Sequence, residues 1–259
     1  MDFTIKKYEE LIDALIAADY SFQTFSEFIK KPQKKTVILR HDVDLKPNNS
    51  LTFAKIQAKR NIKGVYYFRS VKKSFKPHIM RKINKLNHEI GYHYECLALK
   101  KGNEAEAIKK FKEDLHEFRQ IASIETICMH GSPMSRYDSK DLWKSYTYAD
   151  FDIIGEPYFD VNFKKVMYIT DTGRSWNNKK ISIRDKVETP FDNNFRHTDD
   201  IIQALSLGNL PDQIMINFHP QRWTSNPIFW FQELFFQNLK NMIKKIIIYK
   251  SKFTSNKVT

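Results

Sequence analysis

Two aspartates separated by one residue, Asp42 and Asp44, close a compact β-rich run, Thr36-Val-Ile-Leu-Arg40. The same arrangement recurs along the chain. His93 ends the apolar run that starts at Glu89, His130 follows Glu125–Met129, Asp171 follows Val166–Thr170, and His219 follows Ile214–Phe218. Aspartate and histidine are what a catalytic zinc-type site uses, with three protein ligands and a fourth position open to water. A metal held in this way lowers the pKa of bound water towards about 7 and polarises a carbonyl. A carboxylate outside the coordination shell can then act as base, and a second histidine can protonate the leaving group. If the first strand continues as far as Asp44, both aspartates lie on one side of it. One can bind metal while the other faces the attacking water.

Each of these residues also has an ordinary role. An aspartate after a strand commonly caps a helix or forms a turn, and Asp171-Thr-Gly173 is itself a turn signal. Trp176 and Trp223 suit a core, and His78, His88, His116 and His197 are assigned structural roles. The functional argument rests on recurrence at successive strand ends. In parallel α/β folds the carboxyl ends of the strands share one face, where sites are built.

The elements that must position these groups alternate. Helices are expected at Tyr8–Ala18, Thr24–Lys30, Ser50–Lys59 with Ser50 as N-cap, Pro77–Leu86, Glu104–Ile121 and Asp199–Leu207. A closing helix is expected to begin near Ile228. Strands are expected at Thr36–Arg40, Gly64–Phe68, Glu89–His93, Glu125–Met129, Phe151–Ile154, Val166–Thr170 and Ile214–Phe218. The segment Thr172–Asn194 reads as polar and irregular. Such alternation specifies a parallel sheet, open or closed into a barrel, in one domain. Residues 1–35 form an N-terminal helical extension and 227–259 a closing helix with a basic tail.

Composition supports a globular chain. Its 259 residues are 41% hydrophobic and 28% charged, with 20 Phe and 12 Tyr against 7 Gly, which excludes disorder. The net charge of +13 favours acidic partners, but the lysines are spread along the chain and no nucleic-acid motif accompanies them. Cys96 and Cys128 give no disulfide framework. The opening segment is amphipathic and acidic early, unlike a secretory signal, so a cytoplasmic setting is expected.

The ordered set Arg40-His-Asp-Val-Asp44, Asn87-His-Glu-Ile-Gly-Tyr-His93-Tyr-Glu95, His130-Gly-Ser-Pro133, Asp171-Thr-Gly-Arg-Ser-Trp176 and Asn217-Phe-His-Pro-Gln-Arg-Trp223 resembles the polysaccharide deacetylase (NodB-homology) family. The likeness is greatest to a divergent cytoplasmic branch associated with surface-polysaccharide biosynthesis. It spans nearly the whole chain. The resemblance implies a distorted (β/α)7 barrel, one divalent metal ion (usually zinc), and removal of an acetyl group from an N- or O-acetylated sugar. It further implies Asp42 as base, Asp44 and His93 as metal ligands, His219 as acid, and Asp171 as the group that orients it. Trp176 matches a conserved-type aromatic of the fourth motif, and Trp176, Trp223, Tyr158 and Arg174 are the expected substrate contacts.

Two positions depart from the family pattern. The second metal-binding histidine would fall at Leu97, which cannot bind metal, and the arginine that tunes the base falls at His130. His130 is therefore expected to supply the third ligand, with Glu95 in reserve. Leu97 also keeps open a degenerate, sugar-binding or scaffold role on the same barrel. The expected substrate is an acetylated sugar, free or nucleotide- or lipid-linked. Phe229–Lys250 combines aromatics and lysines, so peripheral contact with the inner face of a membrane is a further expectation.

Overall fold

The chain opens on helix α1 (Ile5–Ala17), capped by Thr4, whose Oγ1 accepts from the Lys7 backbone N–H at 3.1 Å. The computed structural model describes residues 1–176, 184, 185, 187–192 and 194–255, with side chains of the last helix described as far as Met242. Strand β1 (Ser21–Gln23) leads into α2 (Phe25–Lys30), which Thr24 and Glu27 start with a reciprocal capping box. Strand β2 (Thr36–Val43) follows and is buried along its whole length.

Next come α3 (Pro47–Ala58), β3 (Val65–Phe68), α4 (Pro77–Asn84), β4 (Glu89–Tyr94), α5 (Cys96–Leu99), α6 (Glu104–Arg119) and β5 (Ile127–Met129). The second half contributes α7 (Pro157–Asp160), β6 (Met167–Thr170), α8 (Thr198–Ser206), β7 (Gln213–Phe218) and α9 (Pro227–Ser255). Two expectations fail here. Ser50 is not a cap, because Pro47 at the first helical position starts α3 three residues earlier and Ser50 is buried inside it. Phe151–Ile154 is not a strand. A 3-10 turn over Tyr148–Phe151 occupies its start, Asp152 turns at φ 56°, and the chain meets Glu125–Thr126 only through an Ile154 N–H to Glu125 O hydrogen bond at 2.8 Å and the isolated bridge Thr126–Gly155.

Every described strand pairing is parallel, in the order β5-β4-β3-β2-β7-β6, with β1 added beside β2. No ladder joins β5 to β6 among the described residues, so the barrel is left incompletely closed. The sheet nevertheless curls. Three inter-strand steps separate β4 from β7, about 14 Å in a flat sheet. Yet His93 and His219, from those two strands, approach Asp44 to 3.7 and 4.0 Å.

Alternation along β2 divides its side chains between two environments. Arg40 and Asp42 face the concave side, while Leu39, His41 and Val43 face the helices. His41 is a core histidine: its Nδ1 donates to Val65 O at 2.9 Å and its ring stacks on Tyr66. Burial drives its pKa down to about 3, so it stays neutral. His88 is likewise structural, lying between Gly64 N and Ala54 O. In β4, a Cβ at Gly91 would run into the Tyr67 ring, which explains a glycine two residues before His93.

Candidate metal centre and active site

The concave face of β2 places Arg40 and Asp42 two residues apart on one side. Arg40 holds both oxygens of Asp42, from Nε at 2.9 Å and Nη2 at 2.8 Å, and Asn217 of β7 donates to Asp42 Oδ2 at 3.0 Å. Burial opposes ionisation of Asp42, but Arg40 and the neighbouring His93 and His219 outweigh it and hold the carboxyl well below the usual carboxylate range. Arg40 was not anticipated as a site residue. Its i, i+2 spacing to Asp42, which puts both side chains on one face of a strand, was the available signal.

His93, on β4, donates from Nδ1 to Cys128 O at 2.8 Å. A carbonyl only accepts, so Nε2 is the bare nitrogen. It lies 3.7 Å from Asp44 Oδ1 and 3.8 Å from Asp42 Oδ2. Burial lowers the pKa of His93 to about 4, leaving the Nε2 lone pair free at neutral pH. His130, just past β5, turns Nδ1 to Glu95 Oε2 at 3.0 Å and Nε2 to Asp44 Oδ1 at 3.5 Å.

The residues present fit a metal. Asp44 Oδ1 is buried and accepts no hydrogen bond among the described residues, while two imidazole Nε2 atoms face it. Ligand atoms of Asp44, His93 and His130 all lie within 4.8 Å of one another. Bonds of about 2.1 Å at the tetrahedral angle set ligands roughly 3.4 Å apart, close to these separations. Glu95 does not enter the cluster. It sits behind His130 and is gripped by Arg69 at 2.7 and 2.9 Å. Burial alone would raise its pKa, but the His130 hydrogen bond and Arg69 hold it down to about 2. A carboxylate behind a ligand histidine fixes its tautomer and raises its basicity. Leu97 is buried in α5 as part of the hydrophobic core.

At the end of β7, His219 donates from Nδ1 to Asp171 Oδ1 at 2.6 Å. Its Nε2 faces Asp42 Oδ2 and Asp44 Oδ2, each at 4.0 Å. Asp171 is fully buried and also accepts from the His219 backbone N–H, Arg222 Nη1 and Trp223 Nε1. Burial opposes its charge, but His219 and Arg222 lower its pKa all the same.

Three expected substrate contacts are corrected. Trp176 and Trp223 are buried in an aromatic cluster with Phe3 and Phe218, and neither ring face is open to a sugar. Arg174 is also buried, over the Trp230 ring, and donates to Trp230 O at 2.9 Å. Tyr158 does line the cleft, with its hydroxyl between Arg40 and Asp185. The cleft has a volume of about 260 Å³ and is bordered by Asp44, His93, His130 and His219, with Arg69 and Lys240 at its edge.

No protein-family model and no curated protein matches the sequence. Among solved structures, the chain is similar to a wild-type CE4 family pseudoenzyme from Bacillus anthracis, at 15% identity and a TM-score of 0.46. That similarity covers 82% of this chain but 62% of the pseudoenzyme, so the chain spans less than two thirds of its length. A CE4 esterase from Streptococcus mutans is similar at 13% identity and a TM-score of 0.46, over 92% of this chain and 91% of that one. The Xyl-CE4 domain of a multidomain xylanase from the hindgut metagenome of Trinervitermes trinervoides is similar at 10% identity and a TM-score of 0.39, over 85% of each chain. All three carry the CE4 family name, the pseudoenzyme included.

Proposed function

We propose that this chain is a metal-dependent deacetylase that releases acetate from an N- or O-acetylated sugar, in the service of surface-polysaccharide synthesis. The observation that carries this reading is the unsatisfied Asp44 Oδ1 set between the Nε2 atoms of His93 and His130. Asp44, His93 and His130 would hold a divalent cation, zinc by the nature of the donors. When bound, the cation supplies Lewis acidity to the acyl carbonyl and acidifies water.

The protein's own groups do the rest. Asp42, ionised and fixed by Arg40 and Asn217, takes a proton from the water that attacks the acyl carbon. His219 returns a proton from Nε2 to the departing nitrogen or oxygen, so that acetate and a free amine or alcohol leave. Asp171 fixes the orientation of the His219 ring by its 2.6 Å hydrogen bond to Nδ1. Tyr158, Arg69 and Lys240 border the space left for the saccharide.

The test joins metal analysis to acetate release from a panel of acetylated sugars. About one zinc per chain, with Asp42→Asn inactive but still metal-loaded, is the expected result. A wild-type protein that holds no metal and takes up none on titration would sink the reading. One observation favours a second reading, a sugar-binding protein with a degenerate site: the Arg40 clamp makes Asp42 a weak base. Metal and sugar binding without acetate release would establish that alternative.

A further inference from the structure

Helix α9 is amphipathic in the reverse sense to a closing helix. Its inward stripe, Trp230, Glu233, Leu234, Gln237 and Asn241, is largely polar and at least half-buried. Hydrogen bonds fix this orientation: Asn241 Nδ2 donates to Gly173 O at 2.8 Å, Gln237 donates to Asn241 at 2.8 Å, and Trp230 Nε1 donates to Asp2 O at 2.7 Å. The outward stripe is apolar. Ile228, Phe231, Phe235, Leu239 and Met242 recur at helical spacing, flanked by Phe229 and Phe236.

All seven side chains are exposed, Phe235 to 68%, Phe231 to 62% and Met242 to 61%. Four phenylalanines of roughly 200 Å² each, mostly uncovered, make a patch larger than the few hundred Å² that a monomer ordinarily leaves in water. The helix is also cationic. In sequence it carries Lys240, Lys244, Lys245, Lys250 and Lys252 against the single acid Glu233, in a chain of net charge +13.

We propose that α9 is the face by which the protein docks on an anionic lipid surface, and that the acetylated saccharide it acts on is attached to a lipid in that surface. Phenylalanines beside lysines are the composition of a helix lying in a membrane interface, where apolar burial and attraction to anionic headgroups add. A second copy is the poorer partner, because it would set one cationic helix against another. No described helix is long and apolar enough to cross a membrane, so the contact is one of lying on the surface.

The substrate class follows from what lines the cleft. Glu233, Gln237 and Lys240 of α9 form part of its lining, alongside Asp44 and His219. Docking through the opposite stripe therefore sets the cleft about one helix diameter, roughly 10 Å, from the lipid, within reach of a saccharide attached to that surface. Lys240, exposed and among the lining residues, carries a charge suited to the phosphate of a lipid-linked sugar. This substrate assignment rests on the deacetylase reading, whereas the docking face does not.

The experiment is flotation of the full chain with phosphatidylcholine vesicles, with and without about one third phosphatidylglycerol. Wild type should float with the anionic vesicles, and F235S/F236S should bind at least about tenfold more weakly. Unchanged circular dichroism would show that the variant is folded. Wild type left at the bottom of the gradient overturns the docking face. A concentration-dependent dimer that the double variant abolishes also overturns it, in favour of a second copy. In the same vesicles an acetylated glycolipid should be turned over faster than the free saccharide, with the advantage lost in F235S/F236S and free-saccharide turnover unchanged. Equal rates overturn the lipid-linked assignment. Flotation without turnover of either substrate overturns the deacetylase reading and leaves the docking face standing.

Discussion

Arg40 and Asp42 are bound to each other twice over within one strand, with Nε and Nη2 of the arginine at 2.9 and 2.8 Å from the two carboxylate oxygens. Both side chains are buried, at 1% and 5% exposure. A buried pair of this kind is costly to break from one side, because the remaining charge has no partner and no water. Arg40→Met should therefore destabilise the fold by about 3–5 kcal/mol in urea unfolding, and Arg40→Met/Asp42→Leu should recover much of that loss. Additive losses in the two single variants would show that the pair does not act as a unit.

The candidate ligand cluster Asp44, His93 and His130 predicts a graded series. Asp44→Ala and His93→Ala remove groups that face one another at 3.7 Å and should abolish stoichiometric zinc by elemental analysis. Glu95→Gln touches no atom of the cluster except through His130, and should weaken zinc affinity by about 10–100-fold without abolishing it. If Glu95→Gln loses zinc as completely as Asp44→Ala, Glu95 is itself a ligand and His130 is the support.

Much of this arrangement was legible in the sequence, for a physical reason. Parallel strands put their carboxyl ends on one face, so residues following separate apolar runs converge without knowledge of the loops. Asp44, His93, His130 and His219 meet on that basis. Arg40 reads only as the end of the Thr36–Arg40 run and the first residue of its motif, because nothing in the sequence beyond its spacing marks it as half of an ion pair with Asp42. Trp176 and Trp223 misled because an aromatic near a sugar site and an aromatic in a core look alike in sequence, and only burial separates them. Residues 151–154 have strand-like composition but form no strand, and the isolated bridge to Thr126 is made by the next residue, Gly155, a tertiary outcome that local propensity does not encode. Of the expected irregular segment 172–194, residues 177–183, 186 and 193 lie outside the described residues.

Glu95 also makes a prediction about acid stability. Its folded pKa, about 2, lies below the ordinary value of about 4.3 for an unfolded glutamate. The unfolded state thus binds the proton first as pH falls. The stabilisation is present above about pH 4.3 and is lost as pH drops through about 2. Glu95→Gln should flatten that part of the stability-versus-pH curve, and an unchanged slope would mean that the Arg69 and His130 contacts do not persist in solution.

The tryptophans offer the sharpest separation of folding from binding. Trp176 packs among Phe3, Phe218 and Trp223, and its Nε1 donates to Thr198 Oγ1 at 2.9 Å. Trp176→Ala should cost about 3–5 kcal/mol of stability through the cavity it leaves. KM for an acetylated sugar should stay near the wild-type value at temperatures where the variant is folded. Trp223→Phe keeps most of the ring volume but removes the 2.7 Å hydrogen bond to Asp171 Oδ2. Its effect should fall on kcat through the His219–Asp171 pair, with a small change in KM and a modest loss of stability. A rise in KM at constant kcat in either variant would place that ring against the sugar and overturn its assignment to the core.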